Sequence, residues 1–264
     1  MTDIIASLPL AHVMAELRRL LSETQNRRDA LPFGLVAIDS HLPEGGLARG
    51  GLHEVVPEAQ AAFPAAFGFI AALLARLSSP GLSSPGQREK IVLVMPAYGR
   101  RANGRPSGHG FNSLGLYPAR LILVETAHRK ETLWAIAEAL RSAAPAAVAG
   151  FIDRLDLKLS QKLHLAAGDA GLPLLLLRPA QTLEASAAAT RWRIGTAAAA
   201  RDRFGMHTRA RWRLHLERCR NGRPGEWVVE YDHVAHRFSL AAALADPALS
   251  CGAGEEAFGK PRRA

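Results

Sequence analysis

Residues 33–77 constrain the fold more than any other part of the chain. They read FGLVAIDSHLPEGGLARGGLHEVVPEAQAAFPAAFGFIAALLARL, which begins with a polar, glycine-containing turn. A short apolar run follows at residues 51–56, then a sharp loop, and then a long apolar run rich in alanine and leucine. The short run predicts a buried strand and the long run a buried helix. A strand, a loop and a helix in this order are typical of a sheet that is covered by helices.

The loop between this strand and helix lacks the groups that bind phosphate. A phosphate-binding loop follows the pattern G-x-x-x-x-G-K-[ST], with flexible glycines, a lysine for the phosphates and a hydroxyl for the metal ion. The four corresponding places hold Val56, Ala61, Ala62 and Phe63. We therefore expect a degenerate phosphate loop and no nucleotide cofactor.

The segments around this loop resemble the opening of the RecA ATPase core. The run IDSHLPEGGLARGGLHEV, followed by Pro57 and Glu58, is similar to the run that leads into the phosphate loop of RecA. Two later segments, ATRWR at 189–193 and the arginine-rich 211–227, together with this opening resemble the ImuA family. From about residue 31 to 240 the chain is identified as a member of that family. The resemblance implies a RecA-like scaffold that has lost its phosphate site.

The remaining hydrophobic pattern predicts an α/β fold of the RecA type. Apolar runs at 90–95, 120–125, 146–152 and 174–177 predict buried strands, and residues 131–141 and 155–168 predict amphipathic helices. Apolar and polar residues alternate in 211–220 and 226–231, with a turn at 221–225 between them. We therefore expect a mainly parallel central sheet flanked by helices, with antiparallel strands at its C-terminal edge.

The chain divides into a core and two appendages. A length of 264 residues with 48% hydrophobic residues suits one substantial core, which we place at 31–244. Residues 1–30 form a predicted amphipathic helix and linker, and 245–264 a predicted flexible tail. The helix carries Leu10, Met14, Leu17 and Leu21 at helical spacing. It either packs on its own domain or docks on a neighbouring molecule, so self-association belongs to the prediction.

The places where RecA has catalytic carboxylates hold other residues. Pro96, Ala97 and Tyr98 follow the strand that leads to a general base in RecA. The place of the magnesium carboxylate falls at Phe151 or Ile152, with Asp153 one or two positions late. Asp153 and Asp156 are expected to cap the next helix. The ten histidines and two cysteines show no metal-binding spacing, so we predict no catalytic residues and no metal.

The strongest positive charge lies in the last third of the chain. The net charge is +9. Residues 191–223 contain ten arginines, and their acidic residues are Asp202 and Glu217. This region is a solvated strand face, a nucleic-acid surface or a contact for an acidic protein. In RecA, two lysines at the places of Arg218 and Arg220 reach the nucleotide of a neighbouring subunit. The predicted partner or DNA contacts are Arg211, Arg213, Arg218, Arg220 and a basic stripe on one helix, Arg154, Lys158 and Lys162.

The family resemblance supplies the expected pathway. It implies a non-catalytic accessory factor in DNA-damage-induced mutagenesis and translesion synthesis, with an ImuB-like Y-family adaptor, an error-prone polymerase, RecA and DNA as partners. Two alternatives are a RecA-type DNA-dependent ATPase and a SulA-like inhibitor of cell division. We expect a cytoplasmic protein without a membrane segment, because no stretch approaches about 18 apolar residues and no basic leader precedes an apolar run.

Overall fold

The computed structural model describes residues 30–77, 89–97, 103–199, 204, 206 and 209–241. The predicted docking helix with Leu10, Met14, Leu17 and Leu21 lies outside the described residues, as does the predicted tail at 245–264. The described residues therefore belong almost entirely to the predicted core at 31–244.

A mixed sheet of nine strands forms the centre of the described fold. The strands are β3 (Gly51–Pro57), β4 (Ile91–Pro96), β5 (Leu121–Thr126), β6 (Ala147–Phe151), β7 (Pro173–Leu177), β8 (Thr190–Ala197), β9 (Arg211–Cys219), β10 (Gly225–Asp232) and β11 (Arg237–Leu240). Their order across the sheet is β11-β10-β9-β8-β3-β7-β6-β4-β5. From β5 to β8 all neighbours are parallel, and from β8 to β11 all are antiparallel. The predicted fold class is confirmed, and the arrangement is consistent with a RecA-like core.

Helices cover both faces of this sheet. They are α1 (Val36–Asp39), α2 (Phe63–Leu77), α3 (Gly108–Ser113), α4 (Arg129–Ser142) and α5 (Leu157–Ala170). On one face α2 packs with Phe111 of α3 in the larger core cluster, and on the other α4 and α5 form a second cluster. Alternate residues of β7 reach the two clusters, because successive side chains of a strand point to opposite faces. The sheet is therefore the middle of three layers.

A segment with two short strands and one helical turn precedes β3. Strands β1 (Ala30–Leu31) and β2 (Leu47–Ala48) pair antiparallel. The carboxylate of Asp39 accepts hydrogen bonds from the backbone N–H groups of Phe33, Gly34 and Leu35 and so fixes the turn at α1. A Cβ on Gly46 would lie 2.6 Å from the backbone of Leu31, so only glycine fits there. The predicted glycine turn is confirmed.

The central helix α2 is apolar on every side because it lies under the sheet. The window Gln60–Leu77 is long and apolar enough to cross a membrane by length and composition, so the statement that no stretch approaches a span is wrong. In the fold, 72% of this window is buried. A helix that is buried on all sides in a protein core is apolar all round, and in this respect it resembles a membrane-spanning helix.

Three sequence-based expectations about burial or position are wrong. The strand predicted at 120–125 is not a buried strand but the edge strand β5, where Ile122 is 48% and Leu123 38% exposed. Trp134, one of the apolar residues of the amphipathic helix predicted at 131–141, is 65% exposed and does not lie on the buried face of α4. Asp156 caps α5 by accepting from the N–H of Leu159, but Asp153 accepts from the next residue instead.

Candidate functional site

Backbone N–H groups of the loop after β3 are engaged in hydrogen bonds. The N–H of Glu58 donates to the carbonyl of Ile194 in β8 at 2.8 Å, and the N–H of Ala62 donates to Ala59 at 2.9 Å. Val56 and Ala62 are buried, whereas Ala61 is exposed. Pro64, the second residue of α2, has no N–H. A phosphate at a helix N-terminus is held by free N–H groups, and this turn directs several of them elsewhere or lacks them.

Aromatic rings occupy the positions at which the resemblance to RecA places the phosphate-loop hydroxyl and the magnesium carboxylate. The ring of Phe63 stacks on Phe67, with centroids 6.4 Å apart, and meets the edge of Phe151 at 5.9 Å. Phe151 ends β6, where the resemblance places the magnesium carboxylate. A cavity of about 230 Å³ opens beside them, and its lining includes Phe63, Phe67, Met95, Phe111 and Leu114 together with Asn103, Arg105 and Ser107. The aromatic and aliphatic walls suit an apolar group, and the guanidinium of Arg105 is paired with Glu125, which leaves little to offset the desolvation of a phosphate.

Two carboxylates at this end of the sheet are engaged in ion pairs. Glu58, in the loop itself, accepts from Arg213 of β9 at 3.0 Å. Glu125 of β5 accepts from Arg105 at 2.9 Å. Within the described ranges, no group of three or more histidine, cysteine, aspartate or glutamate side chains is placed to hold a metal ion.

The arginine-rich strands do not form one continuous positive surface. Arg211 and Arg213, at the start of β9, pair with Glu230 of β10 at 2.6 Å and with Glu58. Arg211 is buried, although the alternation of the strand predicted an exposed side chain. Arg193 pairs with Glu217 on the neighbouring strand. Most of the charge in this part of the sheet is therefore compensated inside the chain.

A buried ion network joins β3 to the segment after β7. Glu54 accepts from Arg178 at 3.3 Å and from Arg191 at 2.7 Å. Arg178 also donates to Glu184 at 2.8 Å. Burial is the main cause that lowers the pKa of Arg178, and the charges of Glu54 and Glu184 oppose it. Arg178 follows β7, where RecA has a polar sensor residue, and here it is a structural cation.

The other end of the β9–β10 hairpin keeps its positive charge. Arg218 donates to the carbonyl of Ser186, Arg223 donates to that of Ser40 at 3.3 Å, and Arg220 lies 3.4 Å from Nε2 of His164 in α5. Among the described residues, none of these three arginines has a carboxylate partner within ion-pair distance. This end of the hairpin is the strongest candidate for a contact with an acidic partner.

The predicted basic stripe is only partly correct. Lys158 and Lys162 are exposed on α5, but Arg154 precedes the helix and does not share its face. The structure brings the end of the hairpin against α5 through Arg220 and His164. Arg211 and Arg213 lie at the far end of β9 and do not join this group.

The tryptophans among the arginines belong to the core. Trp192 is fully buried, and its ring lies 5.2 Å from Phe33. Trp212 stacks on Tyr231 with centroids 5.7 Å apart. Rings enclosed in this way are not accessible for stacking on bases.

The sequence did not predict a second cavity, which lies at the opposite end of the central strands. It lies at the start of β3 and β8 and has a volume of about 340 Å³. One wall is His53, whose Nε2 donates to the carbonyl of Ala48 and whose Nδ1 accepts from Thr190, both at 2.8 Å. Burial lowers the pKa of His53 to about 4, so this histidine is a neutral core residue. The sequence signals for this cavity were the histidine of the LHEV motif and Arg220, which was predicted as a partner or DNA contact.

Comparison with known proteins identifies the family. Protein ImuA of Caulobacter vibrioides (strain NA1000 / CB15N) is 33% identical to this chain over 256 residues, which cover 89% of this chain and 98% of that protein. Protein ImuA of a second strain, ATCC 19089 / CIP 103742 / CB 15, matches to the same extent. The chain belongs to the ImuA family. No family model matches the chain.

In this ImuA-family chain, the two motifs that carried the resemblance contact each other. The LHEV motif lies in β3 and the ATRWR motif in β8, and these strands are parallel neighbours. Glu54 pairs with Arg191, and Trp192 donates to the hydroxyl of Thr190, which in turn hydrogen-bonds His53. The two motifs are thus joined on both faces of the sheet, by the Glu54–Arg191 ion pair on one face and by the His53–Thr190–Trp192 hydrogen bonds on the other.

Proposed function

We propose that this chain is a non-catalytic accessory factor in DNA-damage-induced mutagenesis and translesion DNA synthesis in the cytoplasm. It acts through contacts with an ImuB-like Y-family adaptor, and through it with an error-prone polymerase, and it also contacts RecA. Membership of the ImuA family supports this pathway. The observation that carries the non-catalytic part is the aromatic contact between Phe63 and Phe151 at the degenerate phosphate loop.

The test of this part is nucleotide binding. Titration of the full chain with ATP and Mg²⁺ in a calorimeter should give no heat of binding at micromolar to millimolar concentrations. Replacement of the stacked rings by a charged triphosphate costs burial of apolar area and leaves the phosphates without donors. Micromolar binding that Ala62→Arg abolishes would refute the proposal and favour the RecA-type ATPase.

The contact surface is assigned to the cationic end of the β9–β10 hairpin. Arg218 and Arg220 are exposed; within the described residues the Arg218 guanidinium donates to a backbone carbonyl and that of Arg220 lies beside a histidine ring. Their guanidinium groups retain donors for an acidic partner, and a desolvated contact of this kind costs about 2–5 kcal/mol when one side is removed. This surface therefore binds an acidic face of the ImuB-like adaptor or of RecA.

The double variant Arg218→Ala with Arg220→Ala tests the surface. It should weaken association with the adaptor in a pull-down and leave DNA affinity unchanged. A matched control is Lys130→Ala with Arg141→Ala, which removes the same charge from the exposed side of α4. Loss of duplex DNA binding instead, with the slope of log affinity against log salt flatter by about one to two units, would assign these arginines to phosphate contacts in DNA. Capture of the division protein FtsZ and not of the adaptor would favour the SulA-like alternative.

A further inference from the structure

The cavity at the start of β3 and β8 collects donors from three separate parts of the chain. Arg49 lies in the segment before β3, His164 belongs to α5, and Arg220 and Asn221 begin the β9–β10 turn. The cavity and the loop after β3 lie at opposite ends of this strand, since β3 runs from Gly51 at the cavity to Pro57 at the loop. The cavity is therefore separate from the degenerate phosphate loop.

The protonation of His164 is fixed by its backbone contact. The N–H of Leu52 donates to Nδ1 of His164 at 3.2 Å, so this nitrogen carries no proton. A neutral ring then carries its proton on Nε2. Burial first, and the charge of Arg220 second, lowers the pKa of His164, which keeps the ring neutral. The Nε2–H group therefore points toward Arg220 as a donor.

This arrangement leaves two donors facing each other. Nη1 of Arg220 lies 3.4 Å from Nε2 of His164, and neither group can accept a hydrogen bond from the other. One acceptor oxygen placed beside the pair, within hydrogen-bond distance of both nitrogens, can satisfy both N–H groups. A flip of the His164 ring would turn the unprotonated Nδ1 toward Arg220, but it would break the hydrogen bond from the N–H of Leu52.

Arg49 adds a second guanidinium group to the lining of the same cavity. Its Nε is buried and has no hydrogen-bond partner in the described part of the chain. Buried donors of this kind are costly unless an acceptor is supplied. Of the described residues that line the cavity, Glu44 is the one with a carboxylate, and it is exposed. With His164 neutral, two guanidinium groups and one carboxylate leave this cavity a net positive charge.

We propose that this cavity is a phosphate-binding site that takes the dianion of inorganic phosphate or of a phosphate monoester. A tetrahedral anion presents oxygens in several directions, which suits donors that arrive from the segment before β3, from α5 and from the hairpin turn. A volume of about 340 Å³ is large enough for the phosphate and a small organic group. The site does not depend on the proposed accessory role.

The test is titration of the full chain with inorganic phosphate, followed by calorimetry and by the chemical shift of His164. We expect saturable binding that Arg220→Gln and Arg49→Gln each weaken about tenfold or more, as for the loss of one charge-assisted hydrogen bond. His164→Asn keeps an acceptor for Leu52 but removes the Nε2–H donor, and it should also weaken binding. Because this variant changes no charge, it separates the phosphate site from the partner surface.

The matched control is Arg218→Gln, which removes the same charge two residues away, at a side chain that donates to the carbonyl of Ser186 and does not line the cavity. It should change phosphate affinity less than twofold. Equal loss in Arg218→Gln and Arg220→Gln would refute the proposal, because it would indicate general surface charge. Absence of saturation at tens of millimolar phosphate, with the wild-type chain folded, would refute it as well.

The source of the phosphate is identified by competition. Ribose 5-phosphate and a pair of oligonucleotides, one with a 5′-phosphate and one with a 5′-hydroxyl, are added to the phosphate complex. Displacement by the sugar phosphate assigns the site to small monoesters, and displacement by the 5′-phosphorylated strand alone assigns it to a nucleic-acid end. Displacement by neither assigns it to the free anion. Displacement by both oligonucleotides equally would contradict a monoester site.

Discussion

The buried ion network at β3 gives the sharpest stability prediction. Glu54 has no exposed surface and is shared by Arg178, which is 1% exposed, and by Arg191. The substitution Glu54→Gln keeps the shape of the side chain but removes its charge. Arg178 then keeps only Glu184 as an ion-pair partner, whose side chain is 45% exposed, and the amide nitrogen of the new glutamine faces a guanidinium group.

The expected loss is about 3–5 kcal/mol of unfolding free energy, because removal of one partner leaves a buried charge uncompensated. Against a typical total of about 5–15 kcal/mol, this is a large fraction. For a domain of this size it corresponds to a fall in melting temperature of roughly 6–20 °C. A double-mutant cycle with Arg178→Gln should give a coupling of at least about 1 kcal/mol, since the two side chains are in contact.

The measurement is urea denaturation followed by circular dichroism, with Glu58→Gln as the control. Glu58 also pairs with an arginine, but its side chain and that of Arg213 are both about two-fifths exposed, and such pairs contribute at most about 1 kcal/mol. If Glu54→Gln costs no more than Glu58→Gln, the network is solvated and the assignment of Arg178 as a structural cation is wrong.

Three further predictions concern other parts of the chain. Burial lowers the pKa of His53 in the folded chain from 6.5 to about 4. The unfolding free energy should therefore fall by about 1.4 kcal/mol for each pH unit between 6.5 and 4 because of this residue, and His53→Gln should reduce this dependence of the unfolding free energy on pH. Deletion of residues 1–28 should leave cooperative urea unfolding intact but abolish association on a sizing column; an unfolded product would place this segment in the core. Phe63→Ala should cost about 3–5 kcal/mol in urea titrations, and a loss below 1 kcal/mol would contradict the packed aromatic loop.

The sequence by itself determined the main architecture. Continuous apolar runs are typical of parallel strands with both faces covered, and alternation is typical of antiparallel strands, so β3, β4, β6, β7, β9 and β10 were all predicted. The loss of the phosphate-loop pattern was also visible, because that pattern is local and its spacing is fixed by the backbone. The motifs LHEV and ATRWR further indicated the family, although nothing in their separate positions showed that they lie side by side.

Only the tertiary structure decided which charges are available. Along the sequence, the arginines between 191 and 223 formed one basic region, because few carboxylates are close in the chain. In the fold, Glu54, Glu58 and Glu230 come from distant segments or a neighbouring strand and neutralise several of them. The position of β5 at the edge was likewise decided by strand order, which the local pattern of an apolar run does not contain. Hydrophobic periodicity reports the surroundings of one element, whereas ion pairing, edges and cavities depend on which elements become neighbours.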